Sequence, residues 1–335
     1  MKPKGGTTMF KSITRRGALA MAIAMLPAMG MAQDVPKFFK IVSTSPGGLW
    51  HTFGTQLADK LGKAFPEMAV SHVPGGSNVN HKLVSSGDAQ MGFSFSPTSI
   101  EAWNGEGGFD QQWQDARVVG TFYPAYPHAV ARKGAGIEKM EDLQGKVISP
   151  GKREWSTAAI AMQILNDFGI TEESLSENGG QMQYLGFGDV TNMMADRRLD
   201  AFMYYSSVPS PLLLKLNEQP GITIVPYTQE EVDRILPTLT PKGAYVEMSY
   251  PADPYKDSAG NFPVPTMWSI FLVNKDVPDA VVYELTKILY EDTDLKKFMG
   301  ADPSLALDYA TTGLKGGAIP FHPGAQKYLE EKGAY

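Results

Sequence analysis

The chain predicts an α/β protein of two similar lobes, each a mostly parallel sheet flanked by helices, with a ligand cleft between them. Three observations lead there. From Phe38 onward, apolar runs of strand length alternate with segments of helical periodicity. Loops of small residues stand where strands give way to helices, at Ser43–Gly48, Pro74–Ser77 and Pro150–Trp155. A pattern also recurs. Gly87-Asp88-Ala89, four strand residues and then Ser94 to Pro97 are matched by Leu199-Asp200-Ala201, four strand residues and then Ser206 to Pro209. Ligands of open α/β sheets sit beyond the carboxyl ends of the strands, so two such lobes face to face would enclose one.

The first 32 residues stand apart. Lys2, Lys4, Lys11, Arg15 and Arg16 precede the apolar run Gly17 to Met31, and Gly30-Met31-Ala32 puts small residues where a leader is cleaved. This predicts a secretory signal peptide, too short for a membrane span, and hence a periplasmic protein exported by Sec. Thr14-Arg15-Arg16 carries a partial twin-arginine (Tat) pattern. Without the leader, 303 residues remain, enough for two domains. Five of the 30 basic residues leave with it, so 25 basic face 36 acidic residues, a net charge near −11. That balance argues against nucleic acid and anionic membrane as partners. An anionic ligand must then be held by local dipoles and a few cations. Cysteine is absent, so the fold relies on its core rather than on disulfides. No later stretch is long and apolar enough to span a bilayer, and the mature protein is expected to be a monomer that is not membrane-embedded.

The strand Phe38 to Val42 feeds the loop Ser43–His51, and Trp50, Phe53, Leu57, Leu61 and Phe65 then recur at helical spacing until Pro66. A strand over Met68 to Val73, a helix over Asn78 to Ser86, a strand over Gln90 to Phe95 and a helix over Thr98 to Trp103 follow. Two strand candidates come next, Arg117 to Phe122 and His128 to Arg132. Val147 to Ser149 begins the second repeat. The spacing predicts a helix over Ser156 to Phe168, a strand over Gln183 to Phe187, a helix over Val190 to Asp196, the strand Phe202 to Tyr205 and a helix over Ser210 to Glu218. Five prolines make Pro226 to Pro265 read as irregular. The apolar strand Met267 to Asn274 and a helix over Pro278 to Tyr290 complete the pattern. Such a late return strand suits a second lobe inserted into the first. The division is residues 33–133 with 267–335 for one lobe and 134–266 for the other, with hinges near Ala131–Gly136 and Val264–Ser269.

Catalytic signals are weak. Gly92-Phe93-Ser94-Phe95-Ser96 lacks the last glycine of a nucleophile elbow. The five histidines have no metal-ligand spacing, so no metal or cofactor is expected. Ser43–His51 is neither a dinucleotide fingerprint nor a P-loop. A helix N-terminus with small residues before it offers free N–H groups and partial positive charge to an anion. Binding is therefore expected rather than chemistry, with an exported serine hydrolase using Ser94 or Ser96 and His128 as an alternative.

Ser43-Thr44-Ser45-Pro46-Gly47-Gly48-Leu49-Trp50-His51 resembles the opening S/T-G-G-x-Y-Y of the TAXI family, the solute-binding subunits of one class of TRAP transporters. Pro74-Gly75-Gly76-Ser77-Asn78-Val79-Asn80 is similar to that family's second loop. Asp142-Leu143-Gln144-Gly145-Lys146-Val147, Val264-Pro265-Thr266 and Phe321-His322-Pro323-Gly324-Ala325 resemble later motifs, in the family's order. The resemblance implies a two-lobed periplasmic protein that closes on a small organic anion. Dicarboxylates, acidic amino acids and 2-oxoacids are the classes it implies. The partners would be the small and large TRAP membrane subunits, driven by an ion gradient. A binding protein of an ABC transporter for a sulfonate or heteroaromatic ligand is the alternative.

The resemblance also directs attention to particular residues. In the first loop these are Gly47 and Gly48, with Trp50 and His51 replacing the family's tyrosine pair. Trp50 either walls the pocket or packs in the core; His51 near an anion would tighten binding at lower pH. Ser77, Asn80 and Ser96 are polar groups at loop–helix junctions. Arg153 either grips a carboxylate or pairs with Glu154 in solvent, and Ser156 and Thr157 either cap a helix or bind the ligand. Tyr204 and Tyr205 point to opposite faces, with Tyr205 assigned to the cleft beside Ser206 and Ser207.

Overall fold

Ten strands pair into one sheet among the described residues: β1 (Phe38–Val42), β2 (Ala69–Val73), β3 (Met91–Phe95), β4 (Ala116–Arg132), β5 (Val147–Ser149), β6 (Gln181–Met182), β7 (Ala201–Ser206), β8 (Ile222–Val225), β9 (Val246–Ser249) and β10 (Pro263–Asn274). The structure is a computed structural model that describes residues 35–252, 255, 259–299, 306–314 and 317–335, with residues 1, 5 and 6 before them. The leader expected over residues 1–32 otherwise lies outside the described residues. Val35–Tyr335 forms one unit, separate from Met1–Asp34.

The strand order is β2-β1-β3-β10-β4-β7-β5-β6, with β8 on β4 and β9 on β10. Within it the same module occurs twice. β1 lies parallel to β2 and β3, and β3 meets the long strand β10 antiparallel. β5 lies parallel to β6 and β7, and β7 meets the long strand β4 antiparallel. The repeated pattern around Gly87 and Leu199 marks the turn into β3 and into β7, the equivalent strands of the two modules. The sheet is therefore mixed: parallel inside each module and antiparallel where β4 and β10 join them.

The helices of the first module are α1 (Leu49–Ala64), α2 (Ser77–Ser85) and α3 (Ser96–Asn104). Those that follow are α4 (Ser156–Asp167), α5 (Glu172–Glu177), α6 (Phe187–Ala195), α7 (Pro211–Glu218) and α8 (Gln229–Ile235). The late helices are α9 (Asp279–Glu291), α10 (Thr293–Lys296) and α11 (Pro323–Glu331). The stripe Trp50, Phe53, Leu57 and Leu61 is buried along α1, as its spacing requires. No described helix is long and apolar enough to cross a membrane.

Three expectations are corrected. The two strand candidates around residues 117–132 are one strand, β4. Pro124 and Pro127, in the gap between the two candidates, flank the point where β4 exchanges partners, with residues 116–125 on β10 and 126–132 on β7 and β8. A missing ladder N–H is tolerated at such a place. β10 makes its own exchange one residue after Thr266, from β9 to β4. The strand expected over Gln183 to Phe187 is instead the end of a loop. β6 stops at Met182, and Phe187 opens α6 after the extended Gly186. The stretch Pro226 to Pro265 contains α8 and β9, and α8 starts with a capping box between Thr228 and Glu231.

Candidate functional site

The loops that leave the parallel strands of both modules converge. From the first module, Thr44 and Gly48 come from the β1–α1 loop and Leu49 and Trp50 from the start of α1, Gly76 and Ser77 from the junction into α2, and Phe95 from the end of β3. From the second, Gly151 and Trp155 come from the β5–α4 loop, Ser156 and Thr157 from the start of α4, Phe187 from the start of α6, and Met203, Tyr204 and Tyr205 from β7. Tyr123 of β4 completes a cavity with about 560 Å³ of empty space, part of it open to solvent. This is the carboxyl-end position that open α/β sheets use for ligands.

Aromatic rings make most of the wall. The Trp50 ring lies 4.6 Å from Phe95 and 5.8 Å from Phe93, and its Nε1 donates to Ser269 Oγ at 2.9 Å. Across the cavity Trp155 lies tilted against Phe187 with ring centres 4.7 Å apart, and Phe187 meets Tyr204 edge-on at 5.4 Å. Glycine is required where the two sides touch. A Cβ on Gly48 would stand 2.5 Å from Thr44 Cγ2 and 2.8 Å from Phe187 Cε2.

The polar groups of the wall are neutral. Five helices begin at it, α1, α2, α3, α4 and α6, and none has a side-chain cap. By contrast Thr171, Thr228, Asp292 and His322 cap α5, α8, α10 and α11, away from the cavity; α7 and α9 are also uncapped. Uncapped first turns leave N–H donors available to a ligand. Ser156 Oγ and the Tyr205 hydroxyl are buried in the wall without a hydrogen-bond partner. Burial pushes the phenols of Tyr123, Tyr204 and Tyr205 up, furthest from the neutral range at Tyr123 and Tyr205, so they remain protonated donors.

The structure brings Gly48, Trp50, Ser77, Ser156, Thr157 and Tyr205 together at this cavity. It places the other candidates elsewhere. Gly47 lines an outer groove with Phe187 and Lys215. His51 stands 4.9 Å from His72, outside the lining of the cavity. His72 in turn bonds Ser43 Oγ and Thr55 Oγ1.

Asn80 is fully buried and ties three segments. It accepts from the Gly76 N–H at 3.1 Å and donates to the Ser43 and Phe93 carbonyls at 2.6 and 2.8 Å. Its role is to hold the loops that line the wall. Ser96 accepts from the Trp268 N–H and donates to the Ala244 carbonyl. Ser206 and Ser207 are buried outside the lining, Ser207 donating to the Pro209 carbonyl. Arg153 points to solvent at 67 % side-chain exposure. Its partner is Glu172 at 3.1 Å rather than Glu154, and its guanidinium lies 3.7 Å over the Tyr184 ring. That packing, with Tyr184 also bonded to Glu172, commits the guanidinium away from the cavity.

The serine-hydrolase arrangement is not assembled. Ser94 exchanges a hydrogen bond with Ser77, Ser96 bonds as above, and His128 Nδ1 faces the Tyr204 carbonyl. Trp155, Phe187 and Tyr204 are among the wall residues that sequence reading missed, as are Phe95 and Tyr123. The usable signal for the first was its place just before Ser156, at a helix start; Phe187 was hidden by the strand assignment.

The family model described as NMT1-like family matches residues 41–333. Among solved structures, the periplasmic binding protein BugD is 12% identical, with a TM-score of 0.51 over 89% of this chain and 97% of that one. The alkanesulfonate-binding protein SsuA from Xanthomonas axonopodis pv. citri bound to MOPS is 12% identical, with a TM-score of 0.47 over 89% and 84%. An ancestral arginine-binding protein bound to arginine is 14% identical, with a TM-score of 0.44 over 79% and 97%. At these identities the likeness concerns the fold, and the last two are too distant to carry an argument. The chain has the α/β fold of two-lobed periplasmic binding proteins.

Proposed function

The chain belongs to the NMT1-like family, and on that premise we propose that it is the extracytoplasmic solute-binding protein of a transporter. It captures a small organic anion by lobe closure and delivers it to membrane subunits. The observation that carries this reading is the convergence of five uncapped helix N-termini on one aromatic cavity. Donors of that kind bind and release an anion without reacting with it, which supports binding as the role.

The ordered motifs from Ser43 to Tyr328 support a TAXI-type subunit of an ion-gradient-driven TRAP transporter. Residues 33–133 with 267–335 form one lobe and 134–266 the other. The partner exchanges after Ala125 of β4 and after Thr266 of β10 support crossings close to those two places. In β4 the exchange precedes the stretch Ala131–Gly136. The N-terminal charge and apolar pattern supports export to the periplasm, by Sec or Tat.

A thermal-shift panel of organic anions tests the binding role. A ligand at 100 times its dissociation constant should stabilise the mature protein by about 2.7 kcal/mol; a flat panel counts against the reading. Uptake into vesicles bearing the adjacent membrane subunits tests the transporter class. Uptake driven by an ion gradient without ATP is expected, and strict ATP dependence would assign the protein to an ABC system.

A further inference from the structure

The cavity has no charged lining. Among the described residues that form it there is no Lys, Arg, His, Asp or Glu. The nearby cations are engaged or outside: Arg153 with Glu172 and Tyr184, Lys152 near Glu154, and Lys215 in the outer groove. What remains to hold an anion is a set of neutral donors, the open N–H groups of the helix starts and a few hydroxyls. Helix starts offer an anionic head partial charge, not a full countercharge. The rest of the wall is ring face, from Trp50, Phe95, Trp155 and Phe187.

We propose that the ligand is a monocarboxylate with an apolar body of ring or branched-chain size, and that the site rejects dicarboxylates. The inference rests on the solute-binding reading above and narrows it. Of the implied classes, 2-oxoacids with a single carboxylate fit; dicarboxylates and acidic amino acids do not. A second carboxylate would be buried against aromatic rings with no cation to pair it, and an unpaired buried charge is strongly disfavoured. The site therefore selects against the wrong ligand by leaving its extra charge unanswered. Ser156 Oγ and the Tyr205 hydroxyl, each more than nine-tenths buried in the wall and unpartnered, independently mark a place built for a polar head.

Calorimetric titration of the mature protein with phenylacetate and phenylpyruvate, against succinate, glutamate and 2-oxoglutarate, tests this. The aromatic monocarboxylates should bind at least tenfold more tightly. A dicarboxylate or glutamate that binds as well overturns the inference and leaves the solute-binding reading standing. Preference for glycine betaine also overturns it, because the rings would then serve a cation. If nothing in the panel binds, the solute-binding reading falls and takes the inference with it. Trp155→Ala and Phe187→Ala should each weaken phenylacetate at least tenfold without loss of folding by circular dichroism. Unchanged affinity in both would refute the ring contact.

Discussion

The two tryptophans on either side of the cavity are held in different ways. Trp50 is 5 % exposed, hydrogen-bonded to Ser269, and packed on the aromatic core of the first module. Its loop is locked by Asn80, which reaches three backbone segments at once. Trp155 is half-buried and makes no side-chain hydrogen bond among the described residues; it leans on Phe187 and approaches Gly76 and Gly151. Its loop is tied by Ser149 Oγ, which accepts from Gly151 and Leu185 at 3.3 Å each. One wall is part of the fold's core. The other is a partly exposed ring held by its neighbours Phe187, Gly76 and Gly151.

That contrast can be broken most directly at Trp50. Trp50→Ala should cost about 3–5 kcal/mol of stability, as truncation of a core aromatic does, and denaturant unfolding measures it. A loss below about 1 kcal/mol would make Trp50 a site residue like Trp155.

Acid should destabilise the fold through its buried histidines, which among the described residues are His81, His128 and His322. Burial holds His81 of α2 and His128 of β4 down to about 4. The unfolded chain binds a proton near 6.5, so it holds more protons than the native state between about 6.5 and 4, and stability falls as pH falls through that window. At pH 5 each histidine should withdraw about 2 kcal/mol relative to neutral pH, visible as a lower melting temperature. His81→Gln and His128→Gln should each flatten part of the slope. A slope unmoved by either substitution would show that burial of these two rings does not set the acid response.

Trp155→Ala sharpens the comparison from the other side. Its stability cost should stay below about 1 kcal/mol, as expected of a side chain short of full burial and without a polar tether. Ligand affinity should fall at least tenfold, so a melting curve with and without ligand separates the two effects. The smallest effect is expected at Arg153. Exposed ion pairs contribute about 0–1 kcal/mol, and its guanidinium faces Glu172 instead of the cavity. Arg153→Ala should therefore leave affinity and melting temperature nearly unchanged in titration and thermal shift.

Much of the fold was legible because its signals are local. Trp50, Phe53, Leu57 and Leu61 announce a helix by spacing, and the Gly87 and Leu199 echo announced two modules whose strand pairings match. The continuity of β4 across Pro124 and Pro127 was not legible, because it depends on distant partners, Trp268 of β10 for the first and Tyr205 of β7 for the second. Thr228 and Glu231 did spell a helix start, and the surrounding prolines obscured it. At the site, loops were easier to read than side chains. Gly48, Ser77, Ser156 and Thr157 stand at helix starts, where the chain itself orients the donors.

By itself the sequence determined an α/β alternation, two repeated modules and the loops between strands and helices, since periodicity and small-residue junctions act over a few residues. Tertiary structure decided which side chains of those loops face the cavity. Arg153 and Trp155 are two residues apart, and nothing in their spacing separates their fates. Glu172 and Tyr184, brought close by the fold, hold the arginine outward. Phe187 and Gly76, on other elements, give the tryptophan its place at the wall. A cavity without a charged lining is a property of that convergence, set by packing between elements distant in the chain.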